Sequence, residues 1–331
     1  MFEDRELAGF SGEERAVARA ELQKSIESLD IFERKLMIAW ADERLSNVAS
    51  MLIKSMWHGH ISECQLAMCS RGAREAHAKA MILAHISFGR TNTSFMKGDS
   101  RARLVTLTPN VGLMPIEAME LPLAQLRGYA DRAARIVRGN ALFMPDLALF
   151  CPSRGAPVDI AAVHVHGTIW IDDPHFKPTG AAKAMGEPGG VINALGAPIA
   201  VIRTRGRRAG NALAPADVAG LGRYGSKISC GVNTCFDTKR GRRSECSQTD
   251  WRAIDALRQL EFWSHISALD MSWGVGEGKL LRKLWRARLI TLTTGELFAR
   301  QPIPHQARTD GWQDVWRALG TSYSAISVKK S

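Results

Sequence analysis

His164 and His166 stand two residues apart inside an apolar run, AAVHVHGTIWI, from 161 to 171. In a β-strand alternate side chains share a face, so both imidazoles project one way while Val163, Val165, Ile169 and Ile171 project the other. Neutral imidazole gives its lone pair to divalent transition metals, and accepts Mg or Mn when carboxylates or phosphates complete the shell. A second pair, Tyr224 and Lys227, is spaced three apart, which a helix places on one face. A phenol is a weak nucleophile, so attack on phosphorus calls for a cation that favours phenolate and a metal that polarises the phosphate. Taken alone, the same pair fits a tyrosine packing a helix and a lysine in solvent. The run Trp57-His58-Gly59-His60 lies near Cys64 and Cys69. Its ligand types admit a structural zinc, and its small residues equally suit a helix end.

These residues need a strand for the histidines and a helix for the tyrosine, and the chain supplies both. From 12 to 88 apolar residues recur at spacings of three and four, which predicts three helices. RLVTLT at 103 to 108 reads as a strand stopped by Pro109 and Asn110, and a helix is expected from 115 to 138. ALFMPDLALF at 141 to 150 reads as a strand interrupted by Pro145, followed by the histidine strand. A Gly-rich link runs from 180 to 196, and PIAVIRT at 198 to 204 is a further strand. PADVAGLGRYGSKIS at 215 to 229 begins with Pro at a helix start, although three glycines weaken the helix. Helical periodicity returns after 250 with six tryptophans. The expected class is α+β, a small antiparallel sheet with helices packed on one face, flanked by helical N- and C-terminal regions. The expected division is a helical region at 1–97, a core at 98–245 and a mainly helical region at 246–331.

Composition narrows the partner. The 331 residues carry 44 Lys and Arg against 33 Asp and Glu, a net charge of +11. Residues 1 to 57 are acidic by three charges, with 11 Asp and Glu against 8 Lys and Arg, so the excess lies beyond them. Arg203, Arg205, Arg207, Arg208 and Arg223 head a set of ten cations between 201 and 243 that only Asp217 and Asp237 oppose. Such an imbalance suits a polyanion, whose condensed counterions are released on binding, and a solvated basic loop is the plainer reading. KLLRKLWRAR at 279 to 288 would show its cations on a helix beside Trp285, an arrangement suited to stacking on bases. No apolar run is long enough to span a bilayer, and the N-terminus is acidic where a signal peptide is basic, so a cytoplasmic protein is expected. Six cysteines in a chain of this length argue for free thiols or a metal site rather than a disulfide scaffold.

In combination the ordered motifs resemble the HUH endonuclease superfamily, and within it the rolling-circle replication initiators of bacterial plasmids and phages. The family's Thr-rich first strand is matched by Val105-Thr106-Leu107-Thr108-Pro109. Its His-hydrophobic-His is matched by His164-Val165-His166, and its Tyr-x-x-Lys by Tyr224 and Lys227. The likeness covers about residues 60 to 230. It implies a ferredoxin-like or RRM-like core in which His164 and His166 hold Mg or Mn beside a third, acidic ligand. Asp146 is the candidate for that ligand and Asp159 the next choice. Tyr224 would attack a phosphate of single-stranded origin DNA, stay joined to the 5′ end and free a 3′ hydroxyl for priming, with Lys227 balancing charge. Host helicase and polymerase are the partners such a role implies.

Two other classes stay open. One is a metal-independent two-histidine phosphoesterase, with His166-Gly167-Thr168 as one half and His85-Ile86-Ser87 or His265-Ile266-Ser267 as the other. The other is a nucleic-acid-binding protein without catalysis, in which the cations suffice.

Overall fold

A computed structural model describes residues 1–58, 67–96, 102–118, 120–151, 158–171, 173, 175–186, 190–203, 212–227, 232–234, 252–293, 305–320 and 327–328. The chain opens with helices α1 (Gly12–Trp40), α2 (Asn47–His58), α3 (Arg71–Thr91) and the short α4 (Thr93–Met96). Then come β1 (Arg103–Leu107), β2 (Leu113–Pro115), β3 (Glu120–Leu121), α5 (Leu123–Ile136), β4 (Asn140–Cys151) and β5 (Ile160–Trp170). The second half holds α6 (Pro178–Gly186), β6 (Ala200–Arg203), α7 (Pro215–Gly225) and β7 (Val232–Thr234). It ends with α8 (Ala253–Ser264), β8 (Trp273–Val275), α9 (Gly278–Thr293), α10 (His305–Ala318) and β9 (Ser327–Val328).

The fold is α+β, as the periodicities imply. Strands run in the order β6-β1-β5-β4-β7, with β2 also on β5 and β8 also on β4. The β4–β5 hairpin is its spine, eleven residues deep, with Asn140 opposite Trp170 and Phe150 opposite Ile160. β1, β2, β6 and β8 join antiparallel, whereas β7 lies parallel to β4. Period-two alternation is obeyed along β5. Val163, Val165 and Ile169 are fully buried on one face, and His164, His166 and Thr168 lie on the other.

Helices cover both faces rather than one. α3 and α7 lie over the histidine face, where His85 of α3 bonds Thr168 and Tyr224 of α7 meets His166. α5 packs on β4, β5 and β8, with its Leu126 against Gly112 beside Val163, and Tyr129 donates to the Met185 carbonyl of α6. One apolar core runs continuously from Leu22, Leu29 and Phe32 of α1 through the sheet to Trp285 of α9 and Trp312 of α10. The three stretches 1–97, 98–245 and 246–331 therefore share a core, and β8 of the last completes the sheet edge.

Three local expectations are corrected. The helix foreseen from 115 to 138 starts only at Leu123, because Pro115 ends β2 and Pro122 takes the N-cap position. The link at 180 to 196 contains most of α6. Pro145 does not interrupt its strand. Leu147 N leaves the β4–β5 ladder and donates to Asp146 Oδ1 at 2.8 Å, and alternation puts position 145 on that same outer side. The missing amide proton of Pro145 thus falls on the outer edge of β4, between the residues paired to β8 and those paired to β7.

Candidate functional site

Register brings the first three side chains together. Asp146 lies directly opposite His164, and Met144 opposite His166, so the carboxylate joins both imidazoles on one face. His166 Nε2 is 2.9 Å from Asp146 Oδ2 and 2.9 Å from His164 Nε2, and His164 Nε2 is 3.6 Å from the same oxygen. The expected ligand Asp146 is therefore in place, while Asp159 lies just before β5, its backbone N and O bonded to Phe150 and Ile116. All three residues are buried, Asp146 being only 3% exposed.

The donor set can hold a metal ion. Two imidazole Nε2 atoms at hydrogen-bond distance repel unless one carries a proton or a cation draws both lone pairs. Each ring is anchored from behind, His164 by Nδ1 donating to the Ala162 carbonyl at 3.0 Å and His166 by a hydrogen bond of 3.1 Å between Nδ1 and Thr106 Oγ1, in which either atom can be the donor. Where Nδ1 carries the ring proton, as at His164, the Nε2 lone pair is aimed at the shared point, the usual arrangement behind a ligating histidine. Burial pushes the His164 imidazole down to about 4, and the neighbouring His166 charge adds to this against Asp146, so at neutral pH His164 is uncharged. Burial would raise the Asp146 carboxyl, but the His166 hydrogen bond and the charges of His166, His164 and Lys227 hold it down at about 2.

Tyr224 reaches this set from α7. Its Oη is 3.0 Å from Thr106 Oγ1, and its ring lies edge-on to His166 with centroids 4.7 Å apart. Thr106 is thus shared between ligand and phenol. Its strand was legible, but its role follows from the β1–β5 register, which sets Thr106 opposite His166. The glycines that weaken α7 as a helix explain how it gets there. A Cβ at Gly222 would come within 2.7 Å of the Met81 carbonyl and 2.8 Å of Ile82 Cα, so only glycine lets α7 lie this close to the α3 backbone. Pro215 opens α7 at its first helical position, and Asp217 accepts from Ala214 N at 3.2 Å.

Lys227 does not share a helix face with Tyr224. α7 ends at Gly225, and Lys227 follows in an exposed turn, from which its charge still reaches Asp146 and His164. Arg223 is engaged elsewhere, its Nε donating to Glu21 of α1 at 2.5 Å, which ties α7 to the first helix. Arg203 is exposed at the end of β6. Arg205, Arg207 and Arg208 lie outside the described residues, as do His60 and Cys64. Cys69 is buried and in no disulfide, and His58 is exposed beside Glu33. Trp285 is fully buried against His77, ring centroids 5.5 Å apart, so it offers no platform for a base.

The other histidine motifs are structurally committed. His85 is fully buried, with Nδ1 donating to the Met81 carbonyl and Nε2 accepting from Thr168 Oγ1 at 3.0 Å. On the histidine face it braces β5 through Thr168, fully buried and with both ring nitrogens engaged, so it has no nitrogen left for a substrate shared with His166. His265 caps the end of α8. Among the described residues no helix is long and apolar enough to cross a membrane. No protein-family model, curated protein or solved structure matches the chain, so the reading of this site rests on the convergence of Asp146, His164, His166, Thr106 and Tyr224.

Proposed function

We propose that the protein is a metal-assisted DNA strand transferase that nicks single-stranded origin DNA with Tyr224, as a replication initiator does. One observation carries the reading: the Tyr224 hydroxyl is joined through Thr106 to His166, a member of the two-imidazole, one-carboxylate set. A nucleophile and a metal-ready triad on one sheet face are the two halves that phosphoryl transfer to tyrosine requires.

Asp146, His164 and His166 would hold a divalent ion, Mg or Mn in this reading, which supplies polarisation of the scissile phosphate. A cation on the His166 Nε2 lone pair would leave the ring proton on Nδ1, for donation to Thr106 Oγ1. The Thr106 proton would then point to Tyr224 Oη and stabilise negative charge there. Tyr224 Oη would give its proton to solvent and form the new bond to phosphorus while the bond to the 3′ oxygen breaks, and that oxygen would take a proton from solvent as a free 3′ hydroxyl. The strand's 5′ end stays on the tyrosine as a phosphodiester, so attack by a later 3′ hydroxyl reverses the step and rejoins strands. Lys227 adds positive field near the phosphate. Such a role places the protein with its replicon in the cytoplasm, beside the helicase and polymerase that extend the primer.

The test is a denaturing gel of the protein incubated with labelled single-stranded origin DNA and Mn. The expected result is a slow, heat-stable protein–DNA band that disappears in Tyr224→Phe and on chelation. A band that persists in Tyr224→Phe would reject Tyr224 as the nucleophile.

A further inference from the structure

Helix α9 sets its apolar residues inward and its cations outward. Gly278, Leu281, Trp285, Leu289 and Thr293 are buried at helical spacing, whereas Lys279, Lys283 and Arg286 are exposed. No acidic residue occurs between 278 and 293, so nothing along the helix relieves the repulsion among these cations. The repulsion extends across the fold. Arg282 lies within the fields of Arg286 and of Arg127 on α5, opposed by Asp270, and its buried Nε has no hydrogen-bond partner among the described residues. Holding four like charges together is unfavourable unless a polyanion neutralises them.

We infer that the outer face of α9, through Lys279, Arg282, Lys283 and Arg286 with Arg127 beside it, is a docking surface for the phosphate backbone of double-stranded DNA. The inference rests on the nucleic-acid reading above and extends it to the duplex that flanks a single-stranded nicking site. From Lys279 to Arg286 the helix advances about 10 Å. That is about three phosphate steps of one strand. The face carries no exposed aromatic ring, because Trp285 is turned into the core, and without such a ring it offers phosphate contacts rather than base stacking. It is also poorly suited to a lipid surface. Only Leu280 and Leu284 are large exposed apolar residues there, 58% and 37%, and the helix's broad apolar side is already spent on the core.

The experiment measures binding of a fluorescent duplex, its single strand, and phosphatidylserine vesicles by the full chain. It compares wild type, the variant Lys279→Gln/Lys283→Gln/Arg286→Gln, and a charge-matched control Arg34→Gln/Lys35→Gln/Lys54→Gln on α1 and α2. The α9 variant is expected to weaken duplex binding about tenfold or more and to flatten the salt dependence by about 2.7 in log–log slope, about 0.9 for each phosphate that is no longer neutralised. The control should leave both nearly unchanged, and the α9 variant should form the tyrosine adduct on single-stranded DNA as well as wild type does. Equal weakening by both variants, or unchanged duplex binding in the α9 variant, overturns the assignment. Loss of vesicle binding with duplex binding intact overturns it in favour of a membrane surface. A wild type that forms no adduct, yet loses duplex binding through α9, would sink the nicking reaction and leave this surface standing.

Discussion

The two halves of the site are held by different means. Asp146, His164 and His166 are fixed by an eleven-residue hairpin ladder, each buried, with each imidazole anchored by its own Nδ1 bond. Tyr224 is half-buried in the last turn of α7, meets the triad through the hydroxyl of Thr106 and its own ring against His166, and depends on a close approach of two helices. The metal half is set by register, which cannot shift by one residue without turning every side chain over. The half proposed to carry the nucleophile is set by helix packing, which can shift by fractions of an ångström. Damage to the first should abolish metal binding, and damage to the second should slow strand transfer while metal binding survives.

The largest separation should come from His164→Ala and Asp146→Asn. Each is expected to weaken Mn binding, read by calorimetry, by more than about a hundredfold, the upper range seen for residues that merely support a ligand. Mn affinity that stays at the wild-type value in both variants would remove the triad from the metal. Next, Gly222→Ala should cost about 2 kcal/mol by forcing α7 off α3. Adduct formation should fall while Mn affinity holds, and a joint loss of both would show that the two halves are one unit. Thr106→Val keeps the shape of the strand and removes the shared hydroxyl. About a tenfold drop in adduct rate is expected, the size of one hydrogen bond, and an unchanged rate would deny Thr106 its linking part.

The smallest step is in pH, and it concerns the apo protein. Burial depresses His77, His85 and His164 to about 4 from the ordinary 6.5, with the Gly225 carbonyl opposing at His77, the Met81 carbonyl at His85, and the His166 charge adding at His164. Folding therefore favours the neutral rings. Their contribution is complete above about pH 6.5 and is lost as the pH falls from there toward about 4, by about 1.4 kcal/mol per pH unit for each histidine. Asp146, depressed to about 2 from 3.8, adds a loss only below about pH 4. Thermal melts should thus decline from about pH 6.5 to about 4.5, and His85→Gln should flatten the decline. A flat profile would mean that water reaches these rings.

How much of this was legible depended on the range of the interaction. His164, His166 and the apolar partners of β5 follow from alternation alone, and α7 from its Pro215 start. Asp146 was the preferred third ligand, but only the hairpin register puts it opposite His164, because a proline beside it argues locally against a strand. Arg223 read as a phosphate contact since Glu21 is far away in the chain, and the ion pair between them is a product of folding. Trp285 read as a stacking surface because the side of α9 that faces α3 is not set by the cations around it. The Gly222 contact has no sequence signal beyond a glycine in a helix.

Between the residues of β4 that pair with β8 and those that pair with β7, Pro145, Asp146 and Leu147 are buried, so a backbone donor on that outer margin must find its acceptor within the protein. At Pro145 there is no amide proton to offer, and at Leu147 the outward amide is already taken by Asp146 Oδ1. The carboxylate that turns its Oδ2 to the imidazoles therefore uses its Oδ1 to silence the neighbouring donor. Replacing Asp146 by an apolar residue would leave the buried Leu147 amide without its acceptor, at a cost of about 1–3 kcal/mol, so loss of the ligand and loss of stability should arrive together.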